Sequence, residues 1–320
     1  MPAGRPLSST YRAPWWLPGG HAQTLGAALW PGPRPPLARE RWDTPDGDFI
    51  DVDFAGATTP EARTLVLFHG LEGGSGSHYA RALAQRAASR GWRFVLPHFR
   101  GCSGESNRLR RAYHSGDSDE LDWILRRLRT EHGAPVAAAG VSLGGNVLLK
   151  WLGERGVRAH GSVRRAVAVS APIDLAAAGC ALDRGFNRQV YTRAFLSSLK
   201  RKSLAKLRRF PGLYDARRVA AARTLHEFDD IVTAPLHGFR DADEYWSRAS
   251  SAPWLATIRV PTLVLNARND PFLPAGALVA ATRAASNDVT LEFPATGGHV
   301  GFPARRDWLA RRILEFLEQP

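Results

Sequence analysis

Ser142, Asp270 and His299 are the three side chains of this sequence whose types, order and settings could do chemistry together. Ser142 stands in Gly140-Val-Ser-Leu-Gly144, Asp270 in the stretch Ala267–Pro271, and His299 in Gly297–Gly301, each just past a run that reads as a β-strand. A serine hydroxyl is a poor nucleophile at neutral pH. An imidazole within hydrogen-bond reach can take its proton during attack and return it to the leaving group. A carboxylate then holds the ring in the useful tautomer and stabilises the imidazolium. Two backbone N–H groups would stabilise the oxyanion, each worth about 3–4 kcal/mol where its removal has been measured. The N–H groups of Leu71 and Leu143 are the two candidates. A serine as nucleophile points to esters, thioesters or amides.

Such a set works only if the fold positions it. The run from Ala134 to Trp151 passes from small and β-branched residues, through the glycine-flanked serine, into a helix-like segment. That is the strand, sharp turn and helix of a nucleophile elbow, in which the positions two before and two after the serine must be nearly bare. Gly140 and Gly144 meet that need, and Gly145 lets the helix lie close to the sheet. Thr64–Phe68 is a continuous apolar run, as expected for a strand covered on both faces. It leads into the glycine-rich stretch His69–Gly76, which has no Gly-Lys-Ser/Thr and no dinucleotide fingerprint, so it reads as an oxyanion loop rather than a phosphate cradle. His69 braces that loop in this reading. Asp48–Phe54, Trp92–Pro97, Arg165–Ser170, Pro261–Asn266 and Val289–Phe293 read as further strands, with helices over 79–91, from Ser118 (Asp117 or Ser118 as its cap) and over 305–317. Cys102 could serve as a nucleophile, but no histidine is placed to favour it over Ser142. Asp288 and Asp307 read as surface charges.

The 320 residues are 44% hydrophobic and suffice for one large α/β domain spanning 1–320. Two distant cysteines, Cys102 and Cys180, and the lack of a secretory signal or membrane-length apolar run fit a reduced, cytoplasmic protein. No metal spacing or cofactor motif occurs. The net charge of +13 is concentrated: residues 184–223 hold twelve basic residues against Asp215 alone, +11 in forty residues. Nucleic acid is not expected as a partner, since no binding motif accompanies the charge. Residues 1–40, rich in Pro and Gly yet carrying Trp15, Trp16 and Trp30, read as an arm wrapped over the core. Within it His21 reads as a structural histidine. Between about 173 and 253 the strand rhythm stops, and this basic helical insertion reads as a lid. There Phe195, Leu196, Leu199 and Leu207 form an apolar stripe beside Lys200, Arg201, Lys202, Lys206, Arg208 and Arg209. Peripheral contact with an anionic membrane through this lid and a solvated helix face packed on the core both remain open, the second favoured.

Gly20–Leu25, His69–Gly76, Phe99–Gly104, Tyr113–Gly116, Gly140–Gly145, Phe228–Asp230 with Gly238–Phe239, Asn266–Pro271 and Gly298–His299 together resemble the YheT-like branch of the α/β-hydrolase fold, over nearly the whole chain. That branch includes eukaryotic abhydrolase-domain lipases and yeast medium-chain ethyl ester synthase/esterases. The resemblance implies an eight-stranded, mostly parallel sheet with helices on both faces and a Ser-Asp-His triad carried onto Ser142, Asp270 and His299. It assigns no role to His21 or His114. The expected activity is hydrolysis of short- to medium-chain acyl esters. Alternatives are acyl transfer to an alcohol, a phospholipase or lysophospholipase docked by the basic lid, and a non-catalytic binding module. Acyl chain length, alcohol and oligomeric state are not fixed by the sequence.

Overall fold

The computed structural model describes residues 4–303 and 307–320. Nine strands form one sheet in the order β1-β9-β8-β7-β6-β4-β5-β3-β2. They are β1 (Arg5–Leu7), β2 (Ala38–Asp43), β3 (Phe49–Gly56), β4 (Thr64–Phe68), β5 (Arg93–Pro97), β6 (Val136–Val141), β7 (Val163–Val169), β8 (Thr262–Leu265) and β9 (Val289–Glu292). Only the pairings of β2 with β3 and of β3 with β5 are antiparallel. The sheet therefore has one strand more than the eight expected. The addition is β1, three exposed residues of the arm that pair in parallel with β9. So short and polar a strand has no alternation of its own, and its partner lies far along the chain.

The remaining strands are strands for local reasons. In β4, Leu65 and Leu67 enter one core layer while Val66 and Phe68 enter the other, as the two-residue period of a strand covered on both faces requires. Helices α1 (Gly19–Leu29), α2 (His78–Ser89), α3 (Ser118–His132) and α4 (Leu143–Arg155) come next in the chain. Helix α3 buries Leu121, Ile124, Leu125 and Leu128 at helical spacing and ends at Gly133, which takes the left-handed conformation at φ +70°. Asp117 is its cap residue, but its side chain makes no capping bond and pairs with Arg111 instead.

The insertion between β7 and β8 is helical throughout, with α5 (Leu175–Leu182), α6 (Arg193–Arg209) and α7 (Ala242–Ala249) as its main elements. It has its own apolar cluster, centred on Leu196, Val219, Phe228, Tyr245 and Trp246. The inner face of α6 carries Leu196, Leu199 and Ser203, with Phe195 and Leu204 beside them, while Leu207 lies outside the cluster. Its lysines turn inward as well. Lys202 Nζ donates to Glu72 at 2.8 Å, and Lys206 Nζ donates to Asn107 Oδ1 and to the Leu109 and Arg111 carbonyls at 2.8–2.9 Å. Lys200 caps the Ala220 carbonyl, and Arg209 bonds the Asn107 and Arg108 carbonyls. Burial pushes Lys206 down to about 8. The chain closes with α8 (Ala275–Thr282) and α9 (Trp308–Leu317). The predicted last helix began at residue 305; residues 305 and 306 lie outside the described residues.

Candidate active site

Ser142 sits between β6 and α4 at φ +51° and ψ −121°, a conformation that costs a non-glycine residue of order 1–3 kcal/mol. The elbow survives because its neighbours are bare. A Cβ on Gly140 would stand 2.5 Å from the Gly144 carbonyl oxygen, and one on Gly144 only 2.3 Å from that of Phe68. The serine N–H donates to Val169 O at 2.8 Å, and Gly144 N–H donates to His69 O at 3.1 Å, which ties the elbow to the loop after β4. Helix α4 begins directly behind the hydroxyl, so the positive end of its dipole faces the site.

His299 Nε2 lies 3.0 Å from Ser142 Oγ, and its Nδ1 lies 2.9 and 3.2 Å from the two carboxylate oxygens of Asp270. With Nδ1 protonated, the ring donates to Asp270 and leaves Nε2 to accept from the serine hydroxyl. The Asp270 side chain is fully buried, and its Oδ1 also accepts from Phe272 N–H at 2.9 Å. The Phe272 ring stacks on the imidazole with centroids 4.1 Å apart. Three residues separated by up to 157 positions thus form one hydrogen-bonded chain.

Leu71 and Leu143 line the same cavity as Ser142. Neither backbone N–H has a hydrogen-bond partner among the described residues. A Cβ on Gly70 would approach Ser142 Cβ to 3.2 Å, which measures how closely the loop passes the nucleophile. His69 braces that loop: its Nδ1 donates to Gly70 O at 2.8 Å while Nε2 accepts from Phe99 N–H at 3.0 Å. Complete burial holds this ring neutral, its pKa pulled down to about 3. Cys102 is no rival nucleophile, since burial pushes its thiol up to about 11 and the thiolate is scarce at neutral pH. His21 Nδ1 meets the Tyr191 hydroxyl at 3.2 Å, and His114 Nδ1 accepts from Gly116 N–H while its ring lies 4.3 Å from that of His237.

The glycines around His299 do something other than loosen its loop. Gly298, at φ +64°, lets the arm come within a distance no side chain would allow, since its Cβ would stand 2.6 Å from Gly20 O. Helix α1 then holds the loop. Thr24 Oγ1 accepts from the His299 N–H at 2.8 Å and donates to Gly20 O at 2.7 Å. Gln23 Oε1 accepts from Gly297 N–H at 2.8 Å and from Asn269 Nδ2 at 2.9 Å, and Asn269 Oδ1 accepts from Gly298 N–H. One buried glutamine therefore joins the loop that carries the acid to the loop that carries the base. Gln23, Thr24 and Asn269 are supports of the site that the sequence reading does not find, although Gly20–Leu25 and Asn266–Pro271 carry the family resemblance. The signal available was two adjacent polar residues on the inner face of an otherwise small and apolar helix.

The cavity over Ser142 is walled on one side by the insertion and is mostly apolar, with Leu175, Leu182, Leu225, Val232, Trp246 and Phe272 in its wall. A Cβ on Gly179 would stand 2.4 Å from the Trp246 ring, so the indole comes closer to α5 than any side chain at that position would allow. Asp229, also in the wall, accepts from Trp246 Nε1 at 2.8 Å and from Thr233 Oγ1 at 2.6 Å, and burial raises its carboxyl to about 6.

A family model described as alpha/beta hydrolase fold matches residues 63–304. YheT of Escherichia coli strain K12, an esterase by name, is 40% identical over 288 residues, 87% of this chain and 84% of its own. The chain belongs to the α/β-hydrolase family. Its place is in the YheT-like branch, and it is a hydrolase. Mouse phospholipase ABHD3 is 30% identical over 98% of this chain and 79% of its own. Among solved structures, an esterase from Exiguobacterium antarcticum superposes with a TM-score of 0.58 at 17% identity, covering 87% of this chain and 99% of that one, a likeness of fold. No helix among the described residues is long and apolar enough to cross a membrane.

Proposed function

We propose that this α/β-hydrolase is a serine carboxylic ester hydrolase acting on short- to medium-chain acyl esters through an acyl-enzyme. The observation that carries the reading is the hydrogen-bonded chain from Asp270 through His299 to Ser142, with the serine facing an apolar cavity. Ser142 Oγ attacks the ester carbonyl carbon as His299 Nε2 takes its proton. The negative charge gathers on the former carbonyl oxygen between the N–H groups of Leu71 and Leu143. Collapse breaks the bond to the alcohol, which leaves with the proton from His299. Water then attacks the acyl-enzyme, giving its proton to His299, and Ser142 recovers a proton as the acid departs. Asp270 keeps the ring oriented and balances the imidazolium throughout. The apolar wall supplies acyl binding, worth about 0.8 kcal/mol per buried methylene.

A fluorophosphonate probe tests the nucleophile. Labelling should occur at Ser142 and vanish in Ser142→Ala; labelling that persists in that variant would sink the assignment. A series of p-nitrophenyl esters from acetate to palmitate should show kcat/KM peaking at short to medium chains. Added ethanol, with products analysed, separates hydrolysis from acyl transfer, because the two differ only in the second nucleophile. A phospholipid or lysophospholipid ester is the second reading, favoured by the name of the mouse relative.

A further inference from the structure

Three tryptophans of the arm do not cover the core. Trp15 is 91% exposed, Trp16 57% and Trp30 73%, and Leu29 beside them is 73% exposed. They are gathered rather than scattered: Trp15, Trp16 and Trp30 border one groove, with Leu17 of the turn between them packed on Gly26 of α1. So much indole surface left in water at one place marks a contact surface. The partner can be read from the chemistry. An indole pairs a large apolar ring with one N–H donor, which suits the boundary between lipid headgroups and acyl chains. Residues 4–37 carry Arg5, Arg12 and Arg34 and no carboxylate. The one described carboxylate bordering the groove, Asp307, faces Arg86 at 3.7 Å.

We propose that the N-terminal arm docks this enzyme on the surface of an anionic phospholipid bilayer, with Trp15, Trp16, Leu29 and Trp30 entering the headgroup layer. The basic insertion is the less suitable face, because Lys200, Lys202, Lys206 and Arg209 are engaged within the molecule and, among the described residues, it exposes one large apolar side chain, Phe186, against the four gathered on the arm. The arm also reaches the site directly. The helix that ends at Leu29 and Trp30 holds the His299 loop through Gln23 and Thr24 at its other turns. A docked arm therefore places the catalytic loop beside the membrane that would supply an acyl ester. The docking surface stands independently of the ester hydrolase reading, since its test reads vesicle binding.

The full chain is co-sedimented with phosphatidylcholine vesicles with and without phosphatidylglycerol, alongside the triple variant Trp15→Ser/Trp16→Ser/Trp30→Ser and the insertion variant Arg201→Gln/Arg208→Gln. The expected result is preferential binding to the phosphatidylglycerol vesicles, weakened at least about tenfold in the triple variant and unchanged in the insertion variant. The triple variant should keep the wild-type melting temperature, which excludes misfolding as the cause. Absence of vesicle binding by the wild type, equal binding by the triple variant, or loss confined to the insertion variant would each overturn the proposal. So would a concentration-dependent dimer that the tryptophan changes abolish without altering vesicle binding, which would make a second copy the partner.

Discussion

Thr24→Val is the most informative single change, because it removes one oxygen and almost no volume. In the wild type that oxygen accepts from the His299 N–H at 2.8 Å and donates to Gly20 O at 2.7 Å. Valine leaves the His299 N–H without its partner in a place that water reaches poorly, Thr24 being 9% exposed, while Gly20 O keeps the intrahelical bond from the backbone of residue 24. One unsatisfied N–H costs roughly 1–3 kcal/mol in stability, enough to lower the melting temperature while leaving a folded protein. The effect on turnover should be larger than on binding. The lost bond is made by the backbone of the base itself, whose Nε2 sits 3.0 Å from Ser142 Oγ. Displacement of a reacting group by about 1 Å costs on the order of 100-fold in rate. Steady-state kinetics with a p-nitrophenyl ester should show kcat reduced by about that factor and KM changed by less than about threefold. Thr24→Ser restores the hydroxyl and should recover most of the rate. A folded Thr24→Val enzyme with wild-type kcat would refute the idea that the arm positions His299. The same outcome from Gln23→Ala, which strips partners from Gly297 and Asn269, would refute it twice.

Gly144→Ala should cost at least about 3 kcal/mol in urea unfolding and abolish probe labelling of Ser142, since the new Cβ would meet backbone oxygens of Phe68 and His69 at 2.3 and 2.6 Å. Lys202→Met removes one of the two bonds from α6 to the loop that bears Leu71, because Glu72 accepts from Lys202 and Ser198 of α6 as well as from Tyr113. Amide exchange in 193–209 should then rise about tenfold or more, with exchange in β6 and β7 unchanged; an unchanged α6 would show that the Lys202–Glu72 pair does not hold the insertion. Stability should fall as pH drops through the window from 6.5 toward 3. His69 is held neutral with its pKa near 3, so the unfolded chain binds the proton first and ΔG of unfolding rises with pH there, by about 5 kcal/mol at most. His237, also pulled down to about 3 by burial, acts in the same direction. Asp229 acts in the opposite one: its carboxyl, raised to about 6, favours the fold at low pH and loses that contribution between about 4 and 6. Urea titrations across pH 4–8 should therefore show a net decline toward acid that becomes shallower in His69→Asn.

The nucleophile and its elbow were legible because their geometry taxes the residue types around them. A serine at φ +51° between a strand and a helix tolerates no Cβ two residues before or two after, so the requirement leaves glycines at Gly140 and Gly144 where a reader can find them. The strands β4, β5, β6 and β8 were legible for a similar reason, since burial on both faces selects nearly unbroken apolar runs. The ninth strand was not: Arg5–Leu7 is three exposed residues whose extension is set by β9, nearly three hundred positions away.

The supports of the site were hidden by a different asymmetry. Thr24 and Gln23 bind the backbone N–H groups of His299 and Gly297, and every residue but proline offers such a group. The partner's identity therefore carries no trace of the bond, and no spacing rule connects positions 274 and 275 residues apart. The inward lysines of α6 escaped notice for the same reason. Lys206 bonds two backbone carbonyls, so its sequence neighbours advertise only a basic helix, the pattern of a solvated or membrane-facing surface. Charge on that helix fastens the insertion over the site. The arm holds less charge, but its three arginines in residues 4–37 accompany tryptophans that the core does not cover.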